Sequence, residues 1–165
     1  MRQDARRPGD FGALAAFLIL CLGIMAIGGA ITSTTVGTWY QMLAKPAFTP
    51  PDWVFGPTWT ALYIMMAIAG WLVWRRVGLR DPALSLFFVQ LALNLTWSAL
   101  FFGMTWIGLA FIEILILWII IAATMRAFWR INKTAALLFV PYLLWVGYAA
   151  ALNGAIWALN GQPFP

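Results

Sequence analysis

Apolar residues in this chain fall into five long runs, at roughly 11–31, 57–76, 82–103, 106–128 and 134–157, and most polar residues lie between them. A hydrocarbon core about 30 Å thick takes about 20 residues of α-helix to cross. Each run meets that length, so the pattern predicts an all-α integral membrane protein built as a bundle of five transmembrane helices. Inside the third run Gln90, Asn94, Trp97 and Phe101 recur at the i, i+4, i+7, i+11 step, which is one helix face. Trp145 and Ala149 share a face of the fifth run in the same way. A carboxamide in hydrocarbon is costly unless it meets protein or a wet cavity. The stripe is therefore expected to point inward, either lining a cavity or bonded to a neighbouring helix. Glu113 is the only acidic residue within a run and marks the same interior.

The connections carry their own signals. The second helix is expected to open at Gly56-Pro57, where proline forfeits only an amide that has no partner. Asp81 followed by Pro82 repeats the device with an N-cap. Only Gly103, Met104, Thr105 and Trp106 separate the third and fourth runs, so those helices are predicted to be antiparallel neighbours. Pro141 is expected to free a carbonyl and bend the fifth helix, as a packing kink or as part of a site. Gly23, Ala26, Gly29 and Ala30 would let another backbone approach the first helix, within the chain or across a dimer.

The interval 32–56 is of another kind. Pro46, Pro50 and Pro51 within it, and Pro57 just beyond, fix φ and remove amide donors, so it is neither a regular helix nor an inner strand. Yet it carries many large apolar groups, which predicts a structured lid folded back onto the helices.

Composition sharpens this reading. With 64% hydrophobic residues, 9% charged residues and a mean hydropathy of +0.87, the 165-residue chain lies far from soluble domains, which carry about a quarter charged residues. One membrane domain, 11–157, is expected between a basic N-terminal tail, 1–10, and a short C-terminal tail, 158–165. The net charge of +5 is scattered over short connections, with no patch suited to nucleic acid. Arg2, Arg6, Arg7, Arg75, Arg76, Arg80, Arg126, Arg130 and Lys133 fall on one side of the membrane and Lys45 on the other. The positive-inside rule then puts the N-terminus in the cytoplasm and the C-terminus outside. The first run is longer than the 7 to 15 residues of a typical signal-peptide core and reads as a true span. Trp74 and Trp129 are expected in one interfacial belt and Trp53, Trp106 and Trp157 in the other, with Trp71 and Trp118 toward lipid or neighbours. The single Cys21 forms no internal disulfide. The chain has no histidine, which excludes histidine-ligated haem, and no clustered carboxylates or Cys/His spacing for a metal. No hydrolytic triad is expected either. An indole-rich, lidded cavity with a few amides suits a flat aromatic ligand.

Three segments carry a resemblance. WYQMLAKPAFTPPDWVFGPTWTALY at 39–63, QLALNLTWSALFFG at 90–103 and FVPYLLWVGYAAALN at 139–153 are similar, in this order, to the translocator protein family, TspO or tryptophan-rich sensory protein. The likeness extends over roughly residues 15–160. It implies a bacterial inner-membrane receptor or sensor of tetrapyrroles such as protoporphyrin IX, with a role in porphyrin homeostasis or stress regulation and no obligatory cofactor. Sterol-like and benzodiazepine-type ligands and a homodimer are implied as well. The implied ligand-binding residues are Trp39, Tyr40 and Pro46 of the lid, Trp59 and Tyr63 of the second span, Asn94 and Trp97 of the third, and Trp145 and Ala149 of the fifth. Bacterial members are also associated with light-dependent porphyrin degradation, which would engage Trp59 and Trp145, and porphyrin or lipid transport is a further alternative. The family usually has Asp where this chain has Glu113. The vertebrate cholesterol pattern of Tyr followed by Lys or Arg is missing after residue 152, so cholesterol handling is not implied.

Overall fold

The computed structural model describes residues 10–161. The basic tail with Arg2, Arg6 and Arg7 and the last four residues lie outside the described residues. Helix α1 spans Asp10–Ser33, a short α2 spans Trp39–Met42, and a 3₁₀ turn at Asp52–Val54 leads into α3, Phe55–Val77. Helix α4, Pro82–Ser98, runs on into a π-helical turn at Ala99–Gly103. Helix α5 is Ile107–Ile131, α6 is Lys133–Leu138, and α7 is Val140–Asn160. Among the described residues there is no strand, and five segments are long and apolar enough to cross a membrane: Phe11–Ser33, Asp52–Val77, Pro82–Gly103, Ile107–Ile131 and Lys133–Asn160.

Local chemistry accounts for the boundaries. Asp81 caps α4 by accepting from the Ala83 amide at 2.8 Å, with Pro82 behind it as expected. Gly78 closes α3 at φ 78°, a conformation glycine adopts without a Cβ clash. The α4–α5 link holds Thr105 at φ 59°, a left-handed conformation that costs a β-branched residue on the order of 1 kcal/mol. Two expected boundaries differ. Helix α3 starts at Phe55, so Pro57 lies third in the first turn, where its missing amide still has no intrahelical partner to lose. Pro141 disturbs the fifth helix as expected, but through a one-residue turn rather than a smooth bend. The fifth span is interrupted at Phe139, between α6 and α7, and Pro141 falls in the first turn of α7.

Around the bundle, α1 packs between α3 and α4, α4 packs on α5, α5 on α7, and α6 closes the ring against α3. The core is densest at the α6 end, where Phe87 stacks on Phe128 at 6.1 Å and both meet Phe139. Gly70 of α3 is a contact point there, because a Cβ on it would lie 2.9 Å from the rings of both Phe17 and Phe87. Within the chain, Gly23 and Gly29 of α1 have no neighbour within 4 Å, whereas Gly28 lies against Ser98 and Leu95.

The interruption at Phe139 shapes the rest of the bundle. Because α3 contacts the fifth span chiefly through α6, α7 is free to lean away from α3 toward α5, and a gap opens between them in the half nearer the lid. Gly70→Val is expected to destabilise the protein by about 2 kcal/mol through overpacking. Gly23→Ala should be neutral or mildly stabilising. Thermal unfolding in a mild detergent checks the pair.

Candidate functional site

The gap is a partly open cavity of about 490 Å³ bordered by α1, α3, α4, α7 and the lid. Its aromatic wall is built from Trp59 and Tyr63 of α3, Trp97 and Phe101 at the end of α4, and Trp145 of α7. Neighbouring rings brace these. Trp97 stacks on Phe101 at 5.3 Å, Trp59 leans on Tyr63 and Tyr142, and Trp145 lies between Phe55 and Tyr148. The Trp97 indole donates to Asn153 Oδ1 at 3.1 Å, and Asn153 in turn donates to the Ile107 carbonyl, which fixes the ring plane. The Trp145 Nε1 donor is buried and has no hydrogen-bond partner among the described residues. The small side of the chamber is formed by Gly28 and Gly29 of α1 and Ala149 of α7.

Behind this wall runs a chain of buried hydrogen bonds. Tyr63 donates its hydroxyl to Asn94 Oδ1 at 2.7 Å, Asn94 Nδ2 donates to the Tyr142 hydroxyl at 2.9 Å, and Tyr142 donates to Gln90 Oε1 at 2.9 Å. Gln90 is 0% exposed and Asn94 5%. Both readings of the polar stripe hold at once. Asn94 reaches the cavity and also ties α3 to α7, while Gln90 lies off the wall and serves only the helix contact. Glu113 is buried in the bundle as expected, with neither carboxyl oxygen hydrogen-bonded among the described residues.

Over the cavity the segment between α1 and α3 folds down as a roof. Val36, Tyr40 and Asp52 of this segment face the chamber. The roof is clasped to α7 at two points. Asn160 receives the Ala44 amide at 3.0 Å and donates to the Ala44 carbonyl at 2.9 Å, and Tyr148 donates to the Phe48 carbonyl at 2.6 Å. Thr35 anchors the near end by donating to the Phe102 carbonyl. Lys45 sits 4.6 Å over the Tyr40 ring. Burial, followed by the charges of Asp52 and Tyr148, pushes the Tyr40 phenol up to about 12.

Seven of the nine residues expected at the site therefore line one cavity: Tyr40, Trp59, Tyr63, Asn94, Trp97, Trp145 and Ala149. Trp39 and Pro46 lie in the lid but off the wall. Trp39 packs edge-on against Phe101, and the Pro46 carbonyl holds a turn by accepting from Thr49. Sequence reasoning missed Asn153 as a site residue, although it continues the Trp145 and Ala149 face at i+8. It also missed Phe55 and Phe102, which line the chamber. Of the expected belt tryptophans, Trp53, Trp106 and Trp129 are exposed. Trp157 instead packs on Phe111 and into the space above Gly108, because α5 and α7 meet closely there.

The TspO/MBR family model matches residues 16–158. The chain belongs to the TspO/MBR family. It is 44% identical to the tryptophan-rich protein TspO of Chlorobaculum tepidum over 151 residues, covering 89% of this chain and 95% of that protein. The tryptophan-rich sensory protein of Cereibacter sphaeroides is 38% identical over 92% of this chain and 93% of its own. The human translocator protein is 39% identical over 74% of this chain and 75% of its own. This TspO/MBR protein is thus an integral, multi-pass membrane protein whose matched region contains the whole cavity.

The lid adds a pH dependence. The Tyr40 phenol ionises later in the folded protein than in an unfolded chain, where its pKa is about 10. Lid docking is therefore expected to hold fully below pH 10 and to weaken as pH rises from about 10 through about 12. An environment-sensitive fluorophore on Ala47→Cys reads this opening, since the native Cys21 is fully buried. Adding Tyr40→Phe should abolish the transition.

Proposed function

We propose that this protein is a membrane sensor or receptor that binds a flat aromatic macrocycle, a tetrapyrrole such as protoporphyrin IX, in the cavity under the lid. The observation that carries the reading is the convergence of three braced indoles with one pre-oriented amide, Asn94, on a single chamber. Its volume of about 490 Å³ falls in the roughly 300–1,000 Å³ range of small-molecule sites. Indole faces favour a flat ligand by stacking, while Asn94 and the unpartnered Trp145 Nε1 supply the few polar contacts that orient it. Sterol-like and benzodiazepine-type ligands fit the apolar surface but use less of the polar set. A role in porphyrin homeostasis or stress regulation follows if occupancy is what the cell reads, in keeping with the name of the Cereibacter relative, a tryptophan-rich sensory protein.

A second reading has one observation in its favour: Trp59 and Trp145 both border the chamber, within reach of a bound macrocycle. Under light and dioxygen such indoles are oxidisable, so slow photodegradation of the bound porphyrin would accompany binding. We further propose a bacterial inner-membrane location with the N-terminus in the cytoplasm. The ends of α3 and α5 and the starts of α4 and α6 gather Arg75, Arg76, Arg80, Arg126, Arg130 and Lys133 at one face of the bundle, against Lys45 at the other.

Titration of the detergent-solubilised protein with protoporphyrin IX should quench tryptophan fluorescence saturably. Asn94→Leu should weaken binding about tenfold, the worth of one buried hydrogen bond, and Trp145→Phe should weaken it several-fold through lost stacking area. Quenching that never saturates, or is indifferent to both substitutions, overturns the proposal. Aerobic illumination of the complex tests the second reading, which requires new absorbing products that Trp59→Phe or Trp145→Phe suppresses.

A further inference from the structure

Helix α5 has a face that the ligand cavity does not use. Ile112, Ile116, Ile119 and Ala123 follow one another at three- and four-residue steps, and Arg126, Ala127 and Arg130 each continue the pattern three or four residues on, so all seven lie along a single stripe of the helix. The stripe points away from the buried side formed by Leu117, Ile121, Thr124 and Phe128. Its upper part is apolar and open, with Ile112, Ile116 and Ile119 each 43–60% exposed. Its lower part is a groove of about 330 Å³ with Ala123 and Ala127 as floor and Arg126 and Arg130 as rims.

The two arginines, like the isolated Arg80 beyond α3, differ from the three engaged basic groups at this end. Arg76 donates to the Ile131 carbonyl, Arg75 covers the Trp71 ring, and Lys133 lies over Trp129. Arg126 and Arg130 have no hydrogen bond or ion pair among the described residues, and both are exposed. Two guanidinium groups one turn apart match the oxygens of a phosphodiester. At the end of a membrane-spanning helix they sit where headgroups lie, and neighbouring Trp129 is half-exposed as interfacial indoles are. The small floor leaves room for a glycerol backbone, and the isoleucines above continue the path that an acyl chain takes along the helix.

We infer that the α5 stripe is a binding site for one anionic phospholipid, its phosphate held between Arg126 and Arg130, its glycerol over Ala123 and Ala127, and one acyl chain along Ile119, Ile116 and Ile112. A net-negative headgroup is favoured over a zwitterionic one because a fixed cation on the lipid competes with the arginines for the phosphate. Each basic side chain near such a headgroup contributes about 1 kcal/mol, so the pair predicts a preference of at least about tenfold. The site is separate from the cavity, and its test does not depend on the tetrapyrrole reading.

Native mass spectrometry of the full-length protein, titrated in detergent with phosphatidylglycerol or phosphatidylcholine of equal chain length, reads the preference directly. One phosphatidylglycerol should be retained at least about tenfold more tightly than phosphatidylcholine. Arg126→Gln with Arg130→Gln should erase the difference, Arg80→Gln should leave it intact, and Ala123→Phe should weaken retention with both arginines present. Glycerol phosphate at the same concentration should not displace the lipid, which separates a lipid site from a free-phosphate site. Equal retention of the two lipids, a preference that survives the double substitution, or an equal loss in Arg80→Gln would overturn the inference. Efficient displacement by glycerol phosphate would do the same.

Discussion

Polar groups placed in a bilayer must find partners inside the protein, and in this bundle the chain Tyr63–Asn94–Tyr142–Gln90 does most of that while joining three helices, leaving only the Gln90 Nε2 donor of these four side chains without a partner among the described residues. Interhelical hydrogen bonds in membranes contribute modestly, roughly 0.6 to 2 kcal/mol each. Their larger effect is on geometry. Because α3 and α7 are held through Asn94 of α4 and do not pack along one another, the space between them stays open above the chain. The same amide that fixes the helices is then left facing a chamber. On the proposed reading, helix registration and ligand recognition rest on one side chain.

Two irregularities complete the chamber. The interruption at Phe139 separates α6, which packs on α3, from α7, which packs on α5, so the fifth span belongs to both sides of the bundle. The π-helical turn at Ala99–Gly103 carries Phe101 and Phe102 to the top of α4, where Phe101 supports Trp97 and the Phe102 carbonyl receives Thr35 of the lid. Such a turn leaves the regular helical ladder, and π-turns are often found at functional sites. The roof holds to α7 by a side-chain amide clasp and a tyrosine hydroxyl, contacts that break without unpacking any helix.

Much of this was legible in the residues. The five apolar runs gave the spans because bilayer thickness sets helix length, and the i, i+4, i+7, i+11 spacing of Gln90, Asn94, Trp97 and Phe101 identified the inward face of α4. The capping pair Asp81 and Pro82 fixed a helix start to the residue. What escaped depends on contacts between distant parts of the chain. Pro141 announces a disturbance, but only the packing of α6 on α3 makes it a break. Trp157 looks like an interfacial anchor until α5 supplies Gly108 beneath it. Trp39 and Pro46 were placed in the lid correctly, yet which lid side chains turn toward the chamber follows from how α2 rests on Phe101 and Phe102, which sequence spacing does not encode.

The central claim is that the space beside Asn94 is where the ligand sits, and filling it from α7 is the most direct test. Ala149 borders the chamber and is half-buried against the core, so Ala149→Leu projects extra side-chain volume into the cavity. Calorimetric titration with protoporphyrin IX, alongside thermal unfolding of the same sample, should show affinity reduced at least about tenfold with the unfolding midpoint nearly unchanged. Full affinity in the filled protein would contradict the account.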